Sequence, residues 1–295
     1  MVMGISVIIP TKDRLPFLRK VLPTYVMQKE VKEIIVVVDG STDGTLEFLK
    51  MEMLTNSKLK YLDNGINRGI PFSKNRGIDA ALYQYIFIGE DDLELTDNFL
   101  SILLAHKQKT NADIICGRNI FRYDHETSDE AIKRTNKMNG DYVSMKTIEI
   151  NTSLRLSCDS EQPIIASPML AETSIFERVR FDEMYKVNFW REETDFQVSA
   201  RKRGYTLFSC PHAICFNFII QNDRGGAHAS VGFRRARYVI INNWKFISKH
   251  RDFIQRKFQI GNPYIYIIRF AIKRINIEVL APKFGKFKGK LLRSK

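Results

Sequence analysis

The sequence is short of cysteine pairs, long apolar runs and repeats. Its four cysteines, Cys116, Cys158, Cys210 and Cys215, make no CxxC pair and no zinc spacing. That argues against a disulfide framework or a zinc module and favours a reducing compartment. No stretch approaches the roughly 20 uninterrupted apolar residues that a spanning helix needs. The N-terminus enters a strand-like run with no charged n-region and no cleavage site, so no secretory leader is expected and a cytoplasmic location is. No internal repeat or low-complexity linker interrupts the chain. Acids are scarce at one end. From Ile241 to Lys295, fourteen Lys and Arg face only Asp252 and Glu278, so this segment holds twelve of the thirteen net positive charges. A nearly neutral body with a basic end suits a local polyanion contact. It does not suit nucleic-acid binding, for which no recognition motif is present.

What remains is an ordinary globular composition. With 44% hydrophobic and 27% charged residues over 295 positions, the chain can bury a real core, and disorder is not the default. Its organising stretch is the apolar run from Tyr85 to Ile88, which ends at Glu90-Asp91-Asp92. An apolar, β-branched and aromatic run reads as a buried strand. Three adjacent carboxylates at its end repel one another unless a cation lies among them, and hard oxygen donors suit Mg²⁺ or Mn²⁺. The plainer alternative is an acidic turn in which an Asp caps a helix.

The pattern around this stretch is α/β. Strands are predicted over 4–10, 33–38, 58–62 and 112–117, with helices after the first two. The second strand ends in the turn Asp39-Gly40-Ser41-Thr42-Asp43-Gly44, where Asp39 can accept from a base N–H or a ribose hydroxyl and Asp43 can cap the next helix. Residues 67–77 read as a polar, basic loop leading into a helix over 78–84. Its Arg68, Lys74 and Arg76 are candidates for a diphosphate or, individually, a solvated helix start. A further helix is predicted over 98–107. Residues 122–160 read as a long loop or lid. A helix from Arg191 to Arg203 starts with Glu192, Glu193 and Asp195 and ends at Gly204, matching the helix dipole. Final strands are predicted over 206–210 and 213–218.

Together these segments resemble the family-2 glycosyltransferases of the GT-A fold, over about residues 4–230. The signals are Ser6-Val7-Ile8-Ile9-Pro10-Thr11; Val37-Val38-Asp39-Gly40-Ser41-Thr42-Asp43-Gly44-Thr45, like a DDGSxDGT turn with Val38 for the first Asp; Asn67–Gly77 followed by the acidic strand end, with Glu90 in the first acidic position; and Glu192-Glu193-Thr194-Asp195-Phe196 through Arg203-Gly204-Tyr205, with Glu193 for the usual Asp and Ser199 where Arg is common. The resemblance implies a Rossmann-like mixed sheet flanked by helices and an inverting transfer from a nucleoside-diphosphate sugar, a UDP-sugar by the family's habit. It implies that Asp39 reads the base, that Thr11 and Asp13 line the nucleotide pocket with Arg68 and Lys74 nearby, and that Asp91 contacts the ribose or sugar. Asp92 would hold Mn²⁺ or Mg²⁺. Glu193 would be the general base, with Glu192 and Asp195 next to the acceptor. Relatives often add a metal-binding His after the last strands. Asn217 stands at that point here, leaving His228 or His212 as the metal contact.

The division expected from composition is a catalytic domain over 1–240 and a basic, helical C-terminal extension over 241–295. Within it, 244–257 and 264–280 have near-helical apolar spacing. Tyr264, Ile268, Ile272, Ile275 and Val279 can share one face, with cations around them. Such a helix either packs on the domain or contacts an anionic membrane surface, which would place the protein peripherally on the cytoplasmic face. The acceptor is then a glycan or a lipid-linked glycan. Two other readings remain. A sugar nucleotidyltransferase would also use carboxylate-held metal, but Thr11–Pro16 has no glycine for its phosphate loop. A sugar-nucleotide-binding protein without turnover would rest on the Glu substitutions at Glu90 and Glu193.

Overall fold

The computed structural model describes residues 2–219 and 231–280. His228 and the six cations from Lys283 onward lie outside them. In chain order the elements are β1 (Val2–Thr11), α1 (Leu15–Val26), β2 (Val31–Val38), α2 (Thr45–Thr55), β3 (Leu59–Asp63), α3 (Ile70–Ala80), β4 (Tyr83–Ile88), β5 (Leu93–Leu95), α4 (Phe99–Thr110), β6 (Ile114–Tyr123) and α5 (Ser128–Asn136). There follow β7 (Val143–Ser144), β8 (Glu149–Ile150), β9 (Ser160–Glu161), β10 (Met169–Glu172), α6 (Thr173–Arg178), α7 (Glu192–Lys202), β11 (Leu207–Ile219), α8 (Gly232–Lys249), α9 (Arg251–Lys257) and α10 (Pro263–Ile275), which ends in a π-helical turn over Asn276–Leu280.

The main sheet has the order β3-β2-β1-β4-β10-β6-β11-β5, with β9 paired to β11. β3, β2, β1 and β4 are parallel, whereas β10 runs antiparallel between β4 and β6. Met169 of β10 pairs with Ile88 on one side and Cys116 on the other. Strand alternation divides the core. Ile5, Val7, Ile9, Val36, Val38 and Phe87 pack beneath α1 and α4, and Ile8, Ile35, Val37, Ile86 and Ile88 pack beneath α3, α6 and α7. Because both faces are covered, these strands read as nearly continuous apolar runs.

A third core joins the C-terminal helices to the rest. Val239, Phe246 and Ile247 of α8, Ile254 of α9 and Tyr266 and Phe270 of α10 pack with Tyr142, Ile148, Tyr185 and Val198. The composition shift near residue 240 therefore falls inside α8 and is not a packing boundary.

Four local expectations are corrected. The helix expected over 78–84 is α3, which starts at Ile70, and β4 already begins at Tyr83. Gly69 turns the chain at φ 99°, where a Cβ would meet the Phe189 ring at 2.8 Å, and Pro71 suits the first helical turn. The polar Ser73, Lys74 and Asn75 are buried on this helix, which is why it reads as loop. The two final strands are one strand, β11, with a register shift between Cys210 and Ile214. Pro211 has no N–H to give the ladder, and a bulge accommodates it. The lid segment contains α5, started by a capping box between Thr127 and Glu130. The helix expected over 244–257 is α8 and α9, which meet at His250.

Candidate active site

A cleft of about 1360 Å³ opens at the carboxyl ends of β1, β2 and β4. Thr11, Asp39, Arg68, Lys74, Asp91, Asp92, Glu192 and Glu193 all line it. The sequence separates these residues by up to 182 positions, and the parallel crossovers gather them at one sheet end.

On one side of the cleft, Asp39 holds the loop that leads into α3. It accepts from the backbone N–H of Arg68 at 2.7 Å and of Gly69 at 2.9 Å, and from Asn64 at 2.8 Å. Arg68 lays its guanidinium over Phe72, 4.4 Å from the ring centre. Asp43 accepts from the N–H groups of Leu15 and Thr45, the first residues of α1 and α2. Asp13 does not line the cleft. It sits at φ 51° and accepts from the Thr42 N–H at 2.7 Å, which fixes the 40–44 turn. Burial disfavours its charge, but Lys12 and Thr42 more than compensate and keep the carboxyl below its usual range. Arg76 also stays outside, donating to the Asp63 carbonyl and Asn64.

The acidic strand end is organised by a residue that sequence reasoning passed over. Arg14 pairs with Asp91 at 3.1 Å and with Asp92 at 2.5 Å, and Thr11 donates to Asp91 at 2.8 Å. Glu90 accepts from Asn217 at 2.8 Å. Asn217, on β11, therefore engages the acidic cluster. Burial, with Glu193 and Asp92 as like-charged neighbours, pushes Glu90 up to about 8.

The facing wall is the start of α7. Lys74, buried, donates to Glu192 at 2.6 Å and to Glu193 at 2.7 Å, and Ser167 also donates to Glu193. The two glutamates differ in exposure. The Glu192 side chain is 5% exposed and the Glu193 side chain 33%. Burial, only partly countered by Lys74, pushes Glu192 up to about 8. Burial works against Glu193 too, but the Lys74 charge and the bonds from Lys74 and Ser167 outweigh it and hold its carboxyl below the usual range. The same lysine thus leaves the two carboxyls displaced in opposite directions, Glu193 downward and Glu192 upward.

The loop before α7 is strained. Val187, Phe189 and Arg191 all have positive φ, at 70°, 53° and 76°. This is costly for non-glycine residues, most of all for β-branched Val187. Arg191 secures the loop from inside the third core, with bonds to the carbonyls of Ile148 and Thr147 and to Asn243 and Tyr266.

Asp195 does not serve the acceptor side. It is fully buried and accepts from Tyr185 at 3.0 Å, Lys249 at 2.8 Å and His250 at 2.8 Å. Two residues along α7 from Glu193, about 200° around the helix, it faces away from the cleft and towards Lys249 and His250. His212 is likewise elsewhere, stacked on His106 at 5.0 Å. Among the described residues, His106, Asp159 and Cys210 form a compact group with metal-type ligand atoms, and it lies outside the cleft.

A nucleotide-sized cleft, an acidic strand end and a carboxylate on the facing helix agree with the comparison to known proteins. The model described as glycosyl transferase family 2 matches residues 6–164, just over half of the chain. The chain belongs to family 2 of the glycosyltransferases. It is 34% identical over 92 residues to the glycosyltransferase GlyG of Streptococcus pneumoniae serotype 4, covering 31% of this chain and 30% of that one. It is 33% identical over 110 residues to the GalNAc(5)-diNAcBac-PP-undecaprenol beta-1,3-glucosyltransferase of Campylobacter jejuni, covering 36% and 34%. These matches span about a third of each relative's length. The S. aureus TarS 1–349 structure in complex with UDP-GlcNAc superposes with a TM-score of 0.59 at 15% identity, over 85% of this chain and 70% of that one. The fold is GT-A, as the sequence motifs imply.

The residues at the acidic strand end also fit the divalent cation that the family implies. Glu90, Asp91 and Asp92 are hard oxygen donors, and a cation would offset both the burial and, after it, the like charges that raise Glu90.

Proposed function

We propose that this glycosyltransferase transfers a sugar from a UDP-sugar to a hydroxyl of a glycan or lipid-linked acceptor, with inversion at the anomeric carbon. The observation that carries this reading is the partly exposed Glu193, fixed by Lys74 and Ser167 in the same cleft as Asp91 and Asp92. The TarS complex with UDP-GlcNAc supports the donor, and the undecaprenol-linked substrate named for the Campylobacter relative supports the acceptor.

Each residue then has a task. Asp39 and the backbone it positions receive the base, and Thr11 and Asp91 receive the ribose side. Asp92, with Glu90 beside it, would hold Mn²⁺ or Mg²⁺, which when bound supplies positive charge to the departing diphosphate. Lys12, Arg68, Arg234 and Arg235 line the cleft and add to the same positive field. Glu193 accepts a hydrogen bond from the acceptor hydroxyl and takes its proton as the oxygen attacks the anomeric carbon. Attack from the face opposite the diphosphate forms one C–O bond as the other breaks, which inverts the centre. Glu193 takes the place of the family's usual Asp with one more methylene, and Lys74 and Ser167 fix the longer side chain.

The test is calorimetric titration of UDP, GDP and dTDP with Mn²⁺ and then with EDTA, followed by NMR of the product's anomeric configuration. Metal-dependent binding of UDP and an inverted product are expected. Absence of binding by every nucleoside diphosphate, or release of pyrophosphate from a triphosphate, would overturn the reading.

A further inference from the structure

α10 has two apolar faces. Its inner face buries Tyr266 and Phe270 in the third core, and the Tyr266 hydroxyl donates to the Thr147 carbonyl at 2.8 Å. Its outer face carries Tyr264, Ile265, Ile268, Ile272 and Ile275, of which the first four are 50–60% exposed. At helical spacing these five side chains fill an arc of about 100°. Ordinary surface helices turn polar residues outward, so an isoleucine stripe on a well-anchored helix requires a cover. Among the described residues no helix is long and apolar enough to cross a membrane.

Charge identifies the cover. Arg269 and Lys273 continue the same exposed surface at the edge of the stripe, and Arg251 lies over the Tyr264 ring at 5.4 Å. Among the described residues from 241 to 280, eight cations stand against Asp252 and Glu278. A second copy of the chain would set this basic face against itself, at an electrostatic cost. A nucleic acid would match the charge and leave the isoleucines without partners. An anionic bilayer offers both phosphate groups for the cations and hydrocarbon for the stripe.

The helix also lies beside the cleft. Arg274 of α10 stacks on Trp190 at 4.4 Å and pairs with Glu149 at 3.5 Å, and both partners line the cleft wall. We propose that the outer face of α10 and its surrounding cations seat on an anionic bilayer and bring the cleft to an acceptor carried on a lipid. The acceptor part rests on the glycosyltransferase reading above; the docking part does not.

The experiment is sedimentation of the full-length chain with phosphatidylcholine vesicles, with and without phosphatidylglycerol at about a third of the lipid, at physiological salt. The protein is expected to pellet with anionic vesicles and to stay in solution with neutral ones. The Ile268→Ser/Ile272→Ser double variant is expected to bind anionic vesicles at least about tenfold more weakly, with unchanged melting and unchanged UDP affinity. Protein that stays in solution with anionic vesicles overturns the proposal. So does a double variant that pellets like the parent, which would put the attraction elsewhere, or a dimer of the parent that the double variant dissolves. UDP titration of the same preparation separates the two claims. Intact UDP binding without vesicle binding removes this inference alone, and vesicle binding without UDP binding removes the link to the acceptor.

Discussion

Lys74 and Glu193 meet at 2.7 Å across 119 positions of sequence, and the same ammonium reaches Glu192 at 2.6 Å. One cation thus serves two carboxylates, and the two respond oppositely. Lys74 and Ser167 hold the better exposed one below its usual range, while burial raises the deeper one. In the proposed mechanism this asymmetry favours Glu193 as the base.

Replacing that base has a defined outcome. Glu193→Gln keeps the hydrogen bonds from Lys74 and Ser167 but removes the proton acceptor. Turnover, measured as UDP release with a competent acceptor, is expected to fall by about 10²–10⁴-fold. UDP affinity should stay within a factor of about two, because the proposed mechanism gives Glu193 a part in proton transfer rather than in uniform binding.

Removing the cation has a different signature. Lys74→Met leaves Glu192 and Glu193 buried without their common partner. Chemical denaturation should show a loss of about 3–5 kcal/mol. In the fraction that folds, the Glu193 carboxyl rises, and the acidic limb of the rate–pH profile moves to higher pH. A variant that lost stability but kept the parent's profile would show that Lys74 does not set the state of Glu193.

Glu192 makes stability depend on pH in the direction opposite to a typical salt-bridged acid. Its ordinary value is 4.5 and its value in the fold is about 8. Below 4.5 both folded and unfolded chains hold the proton, and the group has no effect on stability. Between these values the unfolded chain binds fewer protons, so stability declines as pH rises, and the cost is complete above the folded value. Glu192→Gln removes this cost. Its melting temperature should gain on the parent's progressively from about pH 5 to about pH 9. A constant difference across that range would rule the assignment out.

Asp195 behaves as a structural acid. Hydrogen bonds from His250 and Lys249 outweigh burial and hold its carboxyl below 3.8. Its stabilisation is present above that ordinary value and is lost as pH falls through the lower folded value. Asp195→Ala leaves Lys249 and His250 without it and should cost about 3–5 kcal/mol. Turnover per folded molecule should change little, since the side chain does not line the cleft.

Asp92→Asn tests the cation. The variant should bind UDP equally weakly with Mn²⁺ and with EDTA, whereas the parent should bind more tightly with Mn²⁺. A parent insensitive to EDTA would remove the metal from the mechanism.

Much of this architecture was legible in the sequence, for physical reasons. Strands buried on both faces, such as 33–38 and 85–88, leave unmistakable apolar runs, and polar turns at their ends mark the cleft. Legibility fails where a buried surface is polar. Ser73, Lys74 and Asn75 hide the start of α3, because a helix lining a charged cleft loses its apolar periodicity. Arg14 and Ser167 are short-range anonymous, and only tertiary pairing reveals their partners. Asp195 shows the converse error. Three acids in one helical turn look like one constellation, yet a rotation of about 100° per residue sends the third to the other side.

The antiparallel position of β10 has a consequence for how such a protein can diversify. β6 and β10 are direct neighbours with fixed register, so residues 124–168 leave and re-enter the sheet side by side and rejoin it in between only at β9, which pairs with β11. The segment's two ends are pinned, and the part before β9 adds no strand to the main sheet. Changes between residues 124 and 159 can therefore reshape the cleft wall that Ile148, Glu149, Ile150 and Thr152 line, while the acidic strand end and the register that sets Met169 beside Ile88 stay as they are.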